Sequence, residues 1–247
     1  DPDPLIKIGT RSHESIIEGK RGLYFHHDTG FYRYIGGYPE EISRPISDIV
    51  TAIPYSKFDD IWTWSDDDHI YFSVGNLSIA SITGSETWKN VVLRYTESSE
   101  IWTVYSYATE LQRGMMYTRG TTRSYVVGTE NGLVGTLNSS NTDFGEPIKY
   151  RLRTPWYEWE GIGTLKLLQQ MIAVCEKQQS AELLYQVDGE LTSWKTLGQM
   201  KQFVTYYKNA NVRFHRIRFQ VTGVSRYEPL IFNGLEILEG VNEGYIE

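Results

Sequence analysis

The stretch GLYFHHDTGFYRYI, residues 22–35, indicates the fold class of this chain more clearly than any other. Two runs rich in aromatic residues, Gly22 to His27 and Phe31 to Ile35, flank the triplet Asp28-Thr29-Gly30. Because Asp can bond to its own backbone and Gly tolerates a positive φ, this triplet is typical of a tight turn between antiparallel strands. The sequence therefore predicts a β-hairpin here, in an all-β protein.

The next segment, Glu40 to Ile53, carries isoleucine and valine at spacings of three and four, which is the period of a helix. Ser43 is a candidate N-cap, and Pro45 suits an early helical position. One short helix is therefore predicted near residues 43–53.

Short strand patterns follow this helix, separated by turn residues. They are Asp60 to Trp64, His69 to Val74, Asn90 to Tyr95, Ile101 to Tyr107, Gly114 to Thr118, Arg123 to Gly128 and Gly132 to Leu137. Groups of consecutive antiparallel strands that recur every roughly 30–50 residues are typical of propeller blades. Residues 1–140 are therefore expected to form β-propeller-like blades, with a plain sandwich as the alternative.

Residues 138–145, NSSNTDFG, have the polar composition of a linker, so a domain boundary is predicted there. Six strand patterns without a helix between them then predict a β-sandwich over residues 146–240. They are Ile148 to Thr154, Lys166 to Val174, Glu182 to Val187, Ser193 to Leu197, Val212 to Thr222 and Leu230 to Glu236. Within Val212 to Thr222 the apolar side slips by one residue, so we expect a β-bulge at His215-Arg216.

Composition excludes several classes of function. The net charge of the 247-residue chain is -7, which opposes a main activity of binding a phosphate backbone. The sequence has one cysteine, Cys175, so it offers neither an intrachain disulfide nor a thiol-based metal knuckle. No run of 18 apolar residues and no secretion-signal pattern occurs, so we expect no membrane span and assembly in the cytoplasm.

The densest group of carboxylates raises the question of catalysis. It consists of Asp59, Asp60, Asp66, Asp67 and Asp68. A glycosidase pair or a calcium loop is one interpretation, but a calcium loop needs a Gly for its bend, so solvated turns are the preferred one. The histidines lack metal-ligand spacing, and neither a Gly-x-Ser-x-Gly motif nor a phosphate-binding loop occurs. We therefore predict no enzymatic activity, no cofactor and no bound metal.

Two groups of side chains are candidates for interaction. The arginines lie opposite the apolar residues of two C-terminal strands, and they are Arg151, Arg153, Arg213, Arg216 and Arg218. A planar guanidinium suits an acidic patch on a neighbour or passing DNA, and the alternative is an ordinary solvated sheet face. Trp156 and Trp159 beside Pro155 suit an interface anchor or a sugar platform, with packing at the domain boundary as the alternative.

The order of these features resembles one family. Gly22-Leu-Tyr-Phe, Gly30-Phe-Tyr-Arg and Ile42-Ser with its Ile-rich segment are similar to the second half of the tail-hub, or packaged DNA stabilisation, proteins of short-tailed bacteriophages. The similarity continues through Thr129-Glu-Asn-Gly-Leu-Val-Gly-Thr, Ile148-Lys-Tyr-Arg-Leu-Arg-Thr-Pro, Asp188-Gly-Glu-Leu-Thr-Ser-Trp and Phe214-His-Arg-Ile-Arg-Phe-Gln-Val-Thr-Gly. It covers most of the chain and consists of order and spacing.

The resemblance implies a structural virion protein at the head–tail junction or tail hub, with no catalytic residues to carry over. Its subunits would form a ring that plugs the DNA channel, contacts the portal or adaptor ring and seats the tail tip or fibres. About three blades per chain are too few for a closed propeller of about four to eight, so preceding blades or an identical subunit would be needed. A tail-tip receptor-binding or carbohydrate-recognition protein is the alternative, and a glycosidase with a sugar-binding sandwich is the third possibility.

Overall fold

The computed structural model describes residues 8–81, 84–137, 142–158, 163–177, 181–188, 193–225 and 230–245. Across these ranges the chain is mostly antiparallel β-strand, with one short α-helix. It divides into two compact units, Asp1–Ser139 and Ser140–Glu247. The all-β prediction is confirmed.

The first unit opens with a four-stranded meander, sheet 1. Its strands, in the order in which they pair, are β1 (Ile17–Gly19), β2 (Gly22–His27), β3 (Gly30–Tyr34) and β4 (Glu40–Glu41). Asp28 and Thr29 form the turn between β2 and β3, so the predicted hairpin is confirmed. Gly30 has a φ of 151°, and a Cβ atom there would collide with the side chain of Ser43, so both backbone and space demand glycine.

The helix is shorter than the sequence predicts. A 3-10 turn at Arg44–Ile46 leads into α1 (Ser47–Thr51), and another 3-10 segment covers Tyr55–Asp60. The predicted cap is wrong, because the Ser43 hydroxyl accepts a hydrogen bond from the Phe31 amide at 3.0 Å and makes no capping bond. Ser43 therefore fixes this segment to sheet 1.

Two further meanders complete the first unit. Sheet 2 pairs β5 (Trp62–Ser65), β6 (His69–Ser81), β7 (Gly84–Thr96) and β8 (Ile101–Ser106) in that order. Sheet 3 pairs β9 (Leu111–Arg119), β10 (Thr122–Thr129) and β11 (Val134–Thr136), again in chain order. All seven strands predicted in this region are present, and β6, β7, β9 and β10 are longer than predicted.

Sheet 2 has one neighbour on each of its faces. On one face, Phe72 packs against sheet 1, and its ring centroid lies 4.5 Å from that of Phe31. On the opposite face, the Trp62 indole nitrogen donates to the carbonyl of Leu111 in sheet 3 at 3.2 Å. Trp62 pairs with Ser73 across β5 and β6, and Ser73 follows Phe72, so alternation along the strand separates the two faces. The three meanders therefore form a face-to-face stack.

A buried carboxylate joins sheets 1 and 2. Glu97, which follows β7, is 1% exposed and accepts hydrogen bonds from the amides of Lys20 and Arg21 at 3.0 and 2.8 Å. It also accepts one from the Tyr24 hydroxyl at 2.9 Å. These bonds satisfy the β1–β2 turn from the neighbouring sheet, as a buried carboxylate requires.

The second unit consists of two antiparallel sheets around one core. Its strands are β12 (Thr142–Asp143), β13 (Glu146–Arg153), β14 (Thr164–Lys177), β15 (Glu182–Val187), β16 (Lys195–Gln199), β17 (Phe203–Phe214), β18 (Ile217–Ser225) and β19 (Ile231–Tyr245). Five strands pair in the order β12-β13-β18-β15-β16, and three in the order β17-β14-β19. Leu168 and Phe214 from the three-stranded sheet share a core with Leu183, Phe219 and Val221 from the five-stranded sheet. This is the arrangement of a β-sandwich.

The single bulged strand expected over Val212 to Thr222 is wrong. The slip in the apolar face is real, but at His215-Arg216 the chain leaves β17 in one sheet and enters β18 in the other. The Asp188 carboxylate accepts a hydrogen bond from the His215 amide at 3.2 Å, and it also pairs with the Nδ1 atom of the His215 ring at 3.1 Å. The buried Lys166 ammonium donates to the His215 carbonyl at 2.9 Å. The crossover is therefore anchored from two strands. The sequence also predicts that Asp188-Gly189 closes a hairpin, but Gly189 lies outside the described residues.

Candidate functional site

Arginine and tryptophan side chains alternate on the outer face of the five-stranded sheet. The Arg218 guanidinium carbon lies 4.6 Å from the ring centroid of Trp156 and 5.1 Å from that of Trp194. Arg216 lies over Trp156 at 4.8 Å, and Arg153 lies over Trp194 at 5.3 Å. We call these five residues the Arg–Trp ladder.

The backbone places the ladder by strand pairing. Thr154 and Tyr157 donate backbone hydrogen bonds to the carbonyls of Phe219 and Ile217, so the segment after β13 runs beside the start of β18. This pairing brings Trp156 next to two arginines from a distant part of the sequence. Because Ile217, Phe219 and Val221 face the core, the intervening side chains of β18 project to the opposite face.

Two glutamines orient the guanidinium groups. Gln186 accepts a hydrogen bond from Nε of Arg218 at 2.8 Å, and Gln220 accepts one from Nε of Arg153 at 2.6 Å. Both glutamines are buried, which fixes their amides. Burial, together with the charge of Arg216, lowers the pKa of Arg218. The ladder therefore concentrates positive charge and holds its arginines by stacking and neutral acceptors.

The predicted interaction residues do not form one group. Arg153, Arg216, Arg218 and Trp156 belong to the ladder, whereas Arg151 is exposed elsewhere on β13. Arg213 is exposed opposite the buried Val212 and Phe214, but it lies on β17 in the three-stranded sheet and so does not share a strand with Arg218. Trp159 lies outside the described residues. Sequence reasoning missed Trp194 as a partner, because its distance along the chain gives no signal of contact with Arg153 and Arg218.

Sheet 3 exposes its outer face. Val127 and Gly114, which pair across β10 and β9, face Trp62 of sheet 2, so the adjacent residues of each strand face away. On that outer side Met115 is 66% exposed and Tyr117 is 53% exposed. The side chains that form the exposed face of sheet 3 are Met115, Tyr117, Arg119, Val126 and Val134.

Sheet 1 exposes the face that it turns away from sheet 2. Phe25 and Tyr32 pair across β2 and β3, and their rings stack at 5.9 Å. Leu23 and Tyr34 extend the same face and are 37% and 40% exposed. Phe25 and Tyr32 themselves are buried, at 7% and 8% exposure, so the exposed side chains on this side of sheet 1 are Glu18, Leu23 and Tyr34. Each end sheet of the stack thus exposes large apolar or aromatic side chains, Leu23 and Tyr34 on sheet 1 and Met115 and Tyr117 on sheet 3.

The aspartates of the carboxylate group that form hydrogen bonds in the structure serve structural roles. Asp66 lies at the turn between β5 and β6 with its side chain 29% exposed, and it accepts hydrogen bonds from the His69 amide at 3.0 Å and the Tyr71 hydroxyl at 2.8 Å. Burial by itself raises the pKa of Asp66, but bonds from the Asp68 amide, Tyr71 and His69 outweigh it and lower the pKa overall. Among the described residues, no group of three or more His, Cys, Asp or Glu side chains is placed to hold a metal.

A small pocket lies between the segment before β5 and the start of β9. Its volume is about 290 Å³, and its charged lining residues include Lys57, Asp60 and Arg113. Lys57 pairs with Asp60 at 3.3 Å, and Arg113 pairs with Glu14. These charges are therefore already engaged within the protein.

No protein-family model matches this chain, and no curated protein matches it. In the described part of the chain, no helix has the length and apolar character needed to span a membrane.

Proposed function

We propose that this chain is a structural protein of a bacteriophage particle, located at the head–tail junction or tail hub after assembly in the host cytoplasm. It works as a packed subunit of a ring that plugs the DNA channel, contacts the portal or adaptor ring and seats tail components. Its action depends on shape and contact and requires no catalysis or cofactor.

The three meanders of the first unit support a propeller-type interpretation. Each pairs its strands in chain order, and the sheets stack face to face through Phe31, Phe72 and Trp62. Consecutive antiparallel sheets that pack in this way are the building units of a propeller. We interpret sheets 1, 2 and 3 as three such blades.

The two exposed faces at the ends of the stack carry the proposal. Met115 and Tyr117 on sheet 3 and Leu23 and Tyr34 on sheet 1 expose large apolar side chains on ordered strands. Aromatic residues and methionine are enriched in protein interfaces, and the faces of blades pack on other blades. When other blades or subunits cover both end faces of the stack, the chain is a component of an assembly.

The Arg–Trp ladder offers a second contact on the other unit. Stacked guanidinium groups keep donors in a fixed plane, which suits carboxylates on an acidic neighbouring protein. The chain has a net charge of -7, so the ladder is a positively charged patch on an acidic molecule. We therefore assign the ladder to contact with another protein, and DNA only passes nearby.

Receptor or carbohydrate recognition at the tail tip remains the alternative. It would use Trp156 as a stacking surface for a sugar. Two guanidinium groups already stack on this ring, at 4.6 and 4.8 Å, so the ladder favours protein contact over sugar binding.

Cryo-electron microscopy of purified virions tests the proposal. We expect a C-terminally tagged chain to copurify with particles, and tag density to form a ring at the head–tail junction or tail hub. Particles assembled without the chain should lose their packaged DNA. Absence of the chain from purified virions contradicts the proposal, and tag density at the distal tail tip together with glycan binding supports the alternative.

A further inference from the structure

We infer that Arg216 and Arg218 of the Arg–Trp ladder bind an extended acidic segment of a partner protein, whose carboxylates pair end-on with the two guanidinium groups. This inference rests on the proposed function, because it names the chemistry of the neighbour that the ladder contacts. It is carried by three observations: the positive charge of the pair is not neutralised, only one edge of each guanidinium is available, and the ladder is a single row.

The charge of these two arginines is not neutralised within the described residues. Asp188 lies beside Arg216, because its amide donates to the Arg216 carbonyl at 3.3 Å, but its carboxylate is engaged by His215. Among the described residues, no carboxylate lies within salt-bridge distance of Arg216 or Arg218. Burial, and then the charge of Arg216, lower the pKa of Arg218. Two like charges that are partly removed from water favour an anion beside them.

Hydrogen bonding and burial leave one edge of each guanidinium for a ligand. Nε of Arg218 donates to Gln186 at 2.8 Å, so the side edge of this group is occupied. Nε of Arg216 is buried and has no hydrogen-bond partner in the described structure, so a ligand in solvent does not reach it. Both side chains are nevertheless partly exposed. The Nη atoms are therefore the available donors, and a pair of Nη atoms suits the two oxygens of one carboxylate.

The ladder forms one row, which suits an elongated ligand. Successive contacts join Arg216 to Trp156 at 4.8 Å, Trp156 to Arg218 at 4.6 Å and Arg218 to Trp194 at 5.1 Å, so charged groups alternate with rings. In an extended segment every second side chain faces the same side, at a separation of about 7 Å. Carboxylates at alternate positions can therefore each reach one guanidinium, while the side chains between them point away.

A phosphate backbone is the competing ligand, since it also carries regularly spaced anions. Its binding depends on many clustered Lys and Arg side chains, whereas this chain has a net charge of -7. Long-range repulsion therefore disfavours DNA, and a short acidic segment feels mainly the local charge of the ladder.

Fluorescence anisotropy with labelled peptides tests the inference on the purified chain. The probe is a peptide of about 12 residues in which glutamate alternates with threonine, and the control peptide has glutamine in place of glutamate. We expect the acidic peptide to bind with a Kd of about 10–100 micromolar at about 0.1 M salt. The glutamine peptide should bind at least about tenfold more weakly, because its amides do not form charge-assisted pairs.

Substitutions locate the binding on the ladder. Arg216→Gln should raise the Kd at least about fivefold, because it removes one of the two cations. Arg218→Lys should raise it at least about threefold, because lysine keeps the charge but lacks two parallel donors. Arg213→Gln makes the same change of charge on β17 in the other sheet, so it should alter the Kd less than about twofold.

Circular dichroism establishes that each variant is folded, and Arg216→Lys replaces Arg216→Gln if the latter does not fold. The inference is overturned by the absence of binding at about 1 mM peptide, by equal binding of the two peptides, or by equal effects of Arg216→Gln and Arg213→Gln. Displacement of the acidic peptide by a lower concentration of duplex DNA of about 20 base pairs also overturns it, in favour of a nucleic-acid ligand. None of these outcomes changes where the chain lies in the virion, so failure of this inference is distinguishable from failure of the proposed function.

Discussion

The two units of this chain treat the apolar faces of their sheets differently. In the second unit, Leu168 and Phe214 of one sheet and Phe219 and Val221 of the other meet in a shared core. In the first unit, sheet 2 is covered on both faces, whereas Met115 of sheet 3 and Tyr34 of sheet 1 remain exposed. Two facing sheets cover each other's apolar faces, whereas a stack of sheets has one outward face at each of its two ends. The first unit is therefore the part of the chain that leaves apolar side chains exposed on ordered sheets.

Truncating one core ring in each unit gives the largest expected effect. Phe72 is fully buried in the first unit, and Phe219 is 1% exposed in the second. Phe72→Ala and Phe219→Ala should each lower the free energy of unfolding by about 3–5 kcal/mol, through lost burial and the cavity left behind. Hydrogen exchange read by mass spectrometry should show the loss of protection first in the unit that carries the substitution. Equal loss in both units from either variant would show that the two cores behave as one.

Acid should weaken the first unit specifically. His26 is 1% exposed and lies against Phe31 and Phe58, and burial lowers the pKa of His26 to about 4. At pH values between the ordinary pKa of about 6.5 and this lowered pKa, the His26 imidazole is protonated in the unfolded chain but neutral in the folded chain. The stability of the first unit should therefore be complete above pH of about 6.5 and fall by about 3 kcal/mol as the pH drops to about 4.

His26→Phe provides the test of this acid sensitivity. The ring remains, but the titrating group and two buried nitrogens without hydrogen-bond partners in the described structure are removed. The stability of the first unit should then change much less between pH of about 6.5 and 4. His13→Ala, at an exposed histidine, should retain the full pH dependence. An unchanged pH profile in His26→Phe would assign the acid sensitivity to another group.

A smaller effect is expected in the Arg–Trp ladder of the second unit. Arg218→Lys keeps the positive charge but removes the planar group that contacts Trp156, Trp194 and Gln186. The free energy of unfolding should fall by about 1 kcal/mol, measured by denaturant titration. Arg151→Lys, outside the ladder, is the matched control and should change stability by less than about 0.5 kcal/mol. Equal effects of the two substitutions would mean that stacking contributes nothing here.

Local patterns predicted most elements of both units, but they could not assign strands to sheets. The turn at Asp28-Thr29-Gly30 identified its hairpin because residue type and backbone geometry are directly linked there. The slip at His215-Arg216 also appeared in the sequence, yet a bulge and a change of sheet shift the apolar face identically. Strand β17 was missed over most of its length because Lys208 and Asn211 interrupt its apolar alternation.

The candidate site was predictable only in part for the same reason. Arg216 and Arg218 stood out by their position opposite apolar residues, but their stacking on Trp156 depends on the pairing of distant strands. The exposed faces of sheets 1 and 3 had no sequence signal at all. Tyr117 and Phe72 both belong to alternating strands, and only the order of the stack leaves the first exposed and the second buried.

Hydroxyl-radical footprinting tests most directly whether the ends of the first unit are interfaces. The reactivity of Met115, Tyr117 and Tyr34 would be compared between the diluted chain and purified virions that contain it. We predict that all three side chains, exposed by 66%, 53% and 40% in the chain alone, become at least about fivefold less reactive in the particle as packing excludes solvent. Unchanged reactivity of these three residues in the particle would contradict the account, because both ends of the stack would then be free surfaces.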